Sequence, residues 1–120
     1  MNTKRIIRRF WKNIDSRNWN NVESMLHNDF VAEFPQSKEV FNAKTFLIMN
    51  QNYPGNWKLS VQQIIVESNS VVSEIRVETN EKVEIGISII KLMDGKIINI
   101  REFWPEPFDI PKWRTLLLQY

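Results

Sequence analysis

The sequence predicts an α+β domain, with helices gathered on one side of an antiparallel sheet. Three observations carry this. The chain opens with apolar residues at helical spacing. Its second half alternates apolar and polar residues in strand-length runs separated by turn residues. Residues 81–113 then form the organising stretch, two strand-like runs flanking Met93-Asp94-Gly95-Lys96. Asp-Gly at such a point marks a tight hairpin, because glycine takes positive φ without a Cβ clash. Pro105 and Pro107 end the returning strand by removing ladder donors.

Taken in order, residues 3–16 read as a helix. Ile6, Ile7, Phe10, Trp11 and Ile14 recur every three or four residues, and Lys4, Arg5, Arg8, Arg9 and Lys12 fill the other arc. That basic arc fits a solvated helix face, and also a surface for acidic lipid or nucleic acid. A second short helix is expected over 22–27, capped by Asn18 or Asn20, with Trp19, Val22, Met25 and Leu26 facing the core. Residues 29–34 read as a strand stopped by Pro35, and 36–39 as a polar connection. A third helix spans 42–53, before Pro54-Gly55. Residues 57–67 form a strand whose parity changes at Gln62-Gln63, the mark of a β-bulge. Asn69-Ser70 turns the chain into a strand over 71–78, and Thr79-Asn80 turns it into the hairpin. A last helix is expected over 113–119.

Composition narrows the function. At 120 residues, 42% apolar with five Trp and seven Phe, the chain has material for one core, so a single domain over 1–120 is expected. A net charge of +2 does not call for a nucleic-acid partner. Cysteine is absent, which excludes disulfides, thiolate nucleophiles and thiolate metal sites. No apolar run approaches the roughly 20 residues that span a bilayer, and the basic start lacks the apolar core of a secretory signal. The expectation is a cytoplasmic protein with no membrane partner, no cofactor and no metal. His27, the lone histidine, is read at a helix end against backbone carbonyls; one histidine makes a poor metal site.

Several motifs recur in one known order: Trp19 after the first helix, His27-Asn28-Asp29-Phe30, Phe34-Pro35-Gln36-Ser37, Tyr53-Pro54-Gly55, Asp94-Gly95-Lys96-Ile97, Phe103 through Phe108, and Pro111-Lys112-Trp113-Arg114. In order and spacing the chain resembles the SnoaL-like, polyketide cyclase-like branch of the nuclear transport factor 2-like superfamily. The resemblance implies a cone of three N-terminal helices on a curved antiparallel sheet. It also implies an enclosed hydrophobic pocket and a homodimer formed through the outer sheet face. Members include cyclases, isomerases, dehydratases and non-catalytic proteins, so fold alone does not assign a reaction. Compared with ketosteroid isomerase in that superfamily, the oxyanion-hole tyrosine falls on Phe10, the general-base aspartate on Phe34, and the protonated aspartate on or near Ser88. None of those groups is retained, so that mechanism is not expected.

The same resemblance turns Glu84, Gly86, Ser88 and Ile90 inward on one strand, and Ile98, Ile100, Glu102 and Trp104 inward on the next. Glu102 and Glu84 are therefore the candidate catalytic carboxylates. A carboxyl in an apolar cavity has a raised pKa suited to moving a carbon-bound proton. Phe10, Phe34, Trp57, Ser88, Ile100 and Trp104 are the expected pocket residues, and Trp11, Phe34, Trp57 and Trp104 suit stacking on a planar ligand. Two functions follow: an isomerase, cyclase or dehydratase acting on a hydrophobic carbonyl compound, or a non-catalytic binding or dimerisation module. An inward, desolvated Glu102 without a cationic partner favours the first, and a cavity filled by Phe10, Phe34 and Trp104 the second.

Overall fold

The computed structural model describes residues 2–118. In chain order its elements are α1 (Thr3–Asp15), α2 (Trp19–Met25), β1 (Leu26–Phe34), β2 (Glu39–Asn42), α3 (Ala43–Gln51), β3 (Lys58–Glu67), β4 (Ser70–Glu78), β5 (Val83–Met93), β6 (Lys96–Phe103) and a 3-10 helix (Lys112–Leu117). The expected last helix is thus a short 3-10 segment, and its expected end at Gln119 lies outside the described residues.

α1 forms because its apolar positions make one stripe, and Ile7, Phe10, Trp11 and Ile14 are all buried. Burying each such side chain stabilises the fold by about 1.5–3 kcal/mol. Asn2 caps its start by accepting the Arg5 N–H. Two contacts lock the other end over β3. Asp15 Oδ1 accepts the Leu59 N–H at 2.7 Å, and Arg17 donates to the Trp57 carbonyl at 2.6 Å. The Arg17 guanidinium also lies 3.4 Å from the centroid of the Trp57 ring, a cation–π contact. Trp57 is therefore held both by its backbone and through its ring.

α2 starts three residues earlier than expected, because Asn18 is the cap and accepts the Asn21 N–H. It also ends earlier. Leu26 and His27 already belong to β1, so His27 is a strand residue whose Nδ1 accepts the Asp29 N–H, rather than a helix-end residue. The stretch expected as a polar connection and helix start contains β2, paired antiparallel with β1. α3 follows, with Asn42 and Thr45 forming a reciprocal capping box.

The sheet has six strands in the order β2-β1-β6-β5-β4-β3. It corrects the expected wholly antiparallel sheet at one place: β1 and β6 run parallel. β3 to β6 form the expected meander, and the bulge falls at Gln62, where the register slips between Val61 and Gln63. Asp94 (φ 52°) and Gly95 (φ 76°) make the hairpin turn, both in the left-handed region that two-residue hairpins require.

A second bulge, in β6, alters the expected inward parity. Leu92 pairs with Ile97 but Lys91 pairs with Asn99, leaving Ile98 as the extra residue. Ile97, not Ile98, is fully buried beside Ile100. On β5 the inward set is Gly86, Ser88 and Ile90, all buried. Ile85, Ile87 and Ile89 lie on the opposite, partly exposed face.

Candidate functional site

Between α1, α3 and the inner face of the sheet lies a cavity of about 250 Å³. Its wall carries five aromatic side chains: Trp11, Phe34, Tyr53, Trp57 and Trp104. Ile14, Met49, Leu59, Ile75 and Val77 add aliphatic surface, and the polar lining is Asn50, Glu84, Glu102 and Glu106. A smaller recess, lined by Gln36 and Ser37, shares Phe34, Glu102, Trp104 and Glu106 with it.

Strand pairing builds the polar centre. Ile64, Ser73, Ser88 and Glu102 stand in register across β3 to β6, so one inward row crosses the sheet. Ser73 is consumed by α1: its Oγ accepts the Trp11 indole N–H at 3.0 Å. That bond satisfies two buried polar groups, either of which would cost about 1–3 kcal/mol if left unpaired.

Glu102 is only 6% exposed. Its Oε1 accepts the Trp104 indole N–H at 3.1 Å, and none of the ion pairs among the described residues includes it. Burial pushes its carboxyl up from the usual 4.5 to about 7, against the smaller lowering effect of the Trp104 hydrogen bond. Trp104 reaches this position because residue 86 is glycine. A β-carbon there would lie 2.8–2.9 Å from Cη2, Cζ2 and Cζ3 of the Trp104 ring, closer than van der Waals contact allows. The backbone N–H of Trp104 is fixed as well, donating to Gln36 Oε1 at 2.7 Å. Gly86, Trp104 and Gln36 together hold Glu102 in one pose.

Glu84 is at the cavity mouth, 3.3 Å from Lys82 Nζ. Its hydrogen bond and charge raise the Lys82 pKa. Glu84 thus differs from Glu102 in having a cationic partner and in being wetter.

The structure brings Glu102, Glu84, Phe34, Trp57 and Trp104 around one cavity. It does not bring Phe10, Ser88 or Ile100 to the wall. Phe10 and Ile100 are completely buried in the core, Phe10 with its ring edge-on to Trp11 at 4.9 Å. Trp11 takes the wall position expected of Phe10, because it is the next residue around α1. Ser88 is buried within the inner row. Sequence reasoning missed Asn50, Tyr53 and Glu106. Tyr53 follows the end of α3 and Glu106 follows the end of β6, where no period assigns a face. Glu33, next to Phe34, faces away from the cavity and sits 3.7 Å from Arg101.

Helices packed on a curved six-stranded sheet, with a cavity between them, make the nuclear transport factor 2-like fold. The match to known proteins is more specific. Residues 7–100 match the SnoaL-like domain model, and the chain belongs to that family. It superposes on a Kribbella flavida protein provisionally assigned as a ketosteroid isomerase, with TM-score 0.90, 25% identity, and coverage of 96% of this chain and 86% of that one. A nuclear transport factor 2-like protein of unknown function from Burkholderia xenovorans gives TM-score 0.81 at 20% identity, covering 98% of this chain and 93% of that one. A provisionally assigned SnoaL-like polyketide cyclase from Shewanella denitrificans gives 0.72 at 7% identity, covering 85% and 89%. The last two show a shared fold alone. A search of curated proteins found no match. Among the described residues no helix is long and apolar enough to cross a membrane.

Proposed function

We propose that this chain is a small-molecule enzyme in which Glu102 acts as acid and base on a hydrophobic carbonyl compound. The observation that carries the reading is the Glu102 carboxyl itself, buried in an aromatic cavity, hydrogen-bonded through one oxygen and without an ion-pair partner among the described residues. A carboxyl titrating near 7 holds comparable amounts of acid and base at neutral pH, which suits taking a proton from carbon and returning it. In an isomerisation the ionised carboxylate removes a proton from the carbon next to the carbonyl. The C–H electron pair forms an enolate conjugated with a carbon–carbon double bond of the substrate, and the protonated carboxyl returns the proton at the far end of that double bond. The cavity is open rather than filled by Phe10, Phe34 and Trp104, which supports a ligand site; the reactive carboxyl is what favours an enzyme over a binding module with the same cavity.

The test is a turnover screen of planar apolar carbonyl compounds, with Glu102→Gln run beside the wild type. Loss of general acid–base catalysis is expected to cost about 10²–10⁴ in kcat with little change in binding. Equal turnover by both proteins would overturn the role given to Glu102. Compounds bound equally by both and converted by neither would indicate the binding module instead.

The fold also favours a homodimer through the outer sheet face. Ile65, Val72 and Ile89 stand in one cross-strand row there, beside Ile87 and Phe103 in the next. Ile65 is 54% exposed and Val72 38%, which leaves apolar area for a partner to cover. Sedimentation should show a dimer for the wild type and a monomer for Ile87→Lys; a monomeric wild type would contradict the proposed interface.

A further inference from the structure

The cavity carries charge of one sign. Glu84, Glu102 and Glu106 line it, and no lysine or arginine does among the described residues. Two cations approach without joining the wall. Lys82 pairs with Glu84, its own side chain 64% exposed. Arg17 stacks on Trp57, and lines a neighbouring surface recess instead. The remaining wall is dominated by aromatic rings, whose faces are electron-rich and attract an ammonium within about 6 Å of the centroid.

This combination opposes negative charge in a ligand. An enolate produced by Glu102 would form near two further carboxylates, with no cationic side chain on the wall to stabilise it. Positive charge would meet carboxylates at the mouth and π faces inside, in a site partly shielded from water, where both effects are stronger than in bulk solvent. Glu106 is exposed and Glu84 half-buried, whereas Glu102 is deep, so the acidic mouth and the reactive carboxyl lie at different depths.

We propose that the cavity takes an organic cation, a tertiary or quaternary ammonium on an apolar skeleton. The ammonium sits between Glu84, Glu106 and the indole rings, and the apolar part extends toward Glu102. The inference rests on reading this cavity as a ligand site, and it narrows the carbonyl substrate to one bearing its own positive charge. Carried into the same partly shielded cavity, that charge offsets at longer range the negative charge that develops on the enolate oxygen, which no cation of the wall does.

The experiment compares benzyltrimethylammonium with its neutral isostere neopentylbenzene, read by quenching of tryptophan fluorescence at low and at physiological salt. The cation should bind about tenfold or more tightly than the isostere. Glu84→Gln combined with Glu106→Gln should abolish most of that preference, and both sites are solvent-accessible enough for the fold to survive. Lys82→Ala should strengthen cation binding by removing the competing partner of Glu84. The proposal is overturned if the isostere binds as well as the cation, if benzoate binds better than either, or if no probe binds. Failure of the acid/base reading looks different: the cation still binds selectively, but no carbonyl compound is converted in a Glu102-dependent way. A neutral ketone turned over through Glu102, with no selectivity for cations, would retain the acid/base reading and remove this one.

Discussion

Glu102→Gln is expected to stabilise the protein at pH 8 by on the order of 2 kcal/mol, a rise of about 5–10 °C in Tm, and to destabilise it by on the order of 1 kcal/mol at pH 4. The cause is the cost of ionising a carboxyl that burial has moved from 4.5 to about 7. Between those values the folded protein keeps a proton that the unfolded chain has released. The folded state therefore binds more protons in that window, and wild-type stability falls as pH rises through it. Below 4.5 both states are protonated and the group contributes its full stability; above about 7 both are ionised and the loss is complete. The whole shift amounts to on the order of 3 kcal/mol, and the buried amide of glutamine offsets part of the gain. Glutamine removes the ionisation while keeping an oxygen for the Trp104 N–H. Thermal melts of both proteins from pH 4 to 8 check this. A Tm difference that is the same at every pH would refute it.

Gly86→Ala is expected to destabilise the fold by about 1–3 kcal/mol and to move the Glu102 pKa further up. The new methyl would lie within 3 Å of three Trp104 ring atoms, so the indole must move off the strand. Moving it breaks the N–H bond to Glu102 Oε1, which favours the ionised carboxylate. Trp104→Leu supplies the contrast, since it deletes the same N–H without placing a methyl in the sheet. Both variants should raise the Glu102 pKa, but adding Trp104→Leu to Gly86→Ala should cost less than the sum of the single changes, because the ring that clashes is gone. Urea unfolding of the two singles and the double measures this. Additive losses would mean that Gly86 and Trp104 act independently.

Local signals in the sequence located the elements whose causes are local. α1 follows from its apolar stripe, the hairpin from Asp94-Gly95, and the Gln62 bulge from a change of parity within one strand. β2 had no such signal. Its four residues include Val40, which is 67% exposed, and they become a strand only because the edge of β1 is there to pair with. The start of β1 carries a helical signal, because Met25 and Leu26 continue an apolar spacing, yet pairing of Leu26 with Ile97 of β6 takes precedence. Parallel contacts between segments so distant leave no trace in either segment alone. The site divides in the same way. Glu102 and Trp104 follow from the inward face that the family resemblance implies for β6, whereas the β6 bulge hides the exchange of Ile98 for Ile97. Phe10 has the right helix face but lies in the core behind Trp11, a difference of depth that periodicity does not encode. Glu106 and Tyr53 lie beyond element ends, and only the tertiary fold carries them to the cavity.

The whole account depends on the protonation of one buried carboxyl. The most direct measurement follows the side-chain carboxyl carbon of Glu102 by NMR in protein labelled with ¹³C-glutamate, using Glu102→Gln to assign the signal, from pH 3 to 9. The predicted result is a titration midpoint near 7 for this residue. A midpoint at the ordinary glutamate value of about 4.5 would show a solvated carboxylate, and would contradict both its place in the cavity and its role as acid and base.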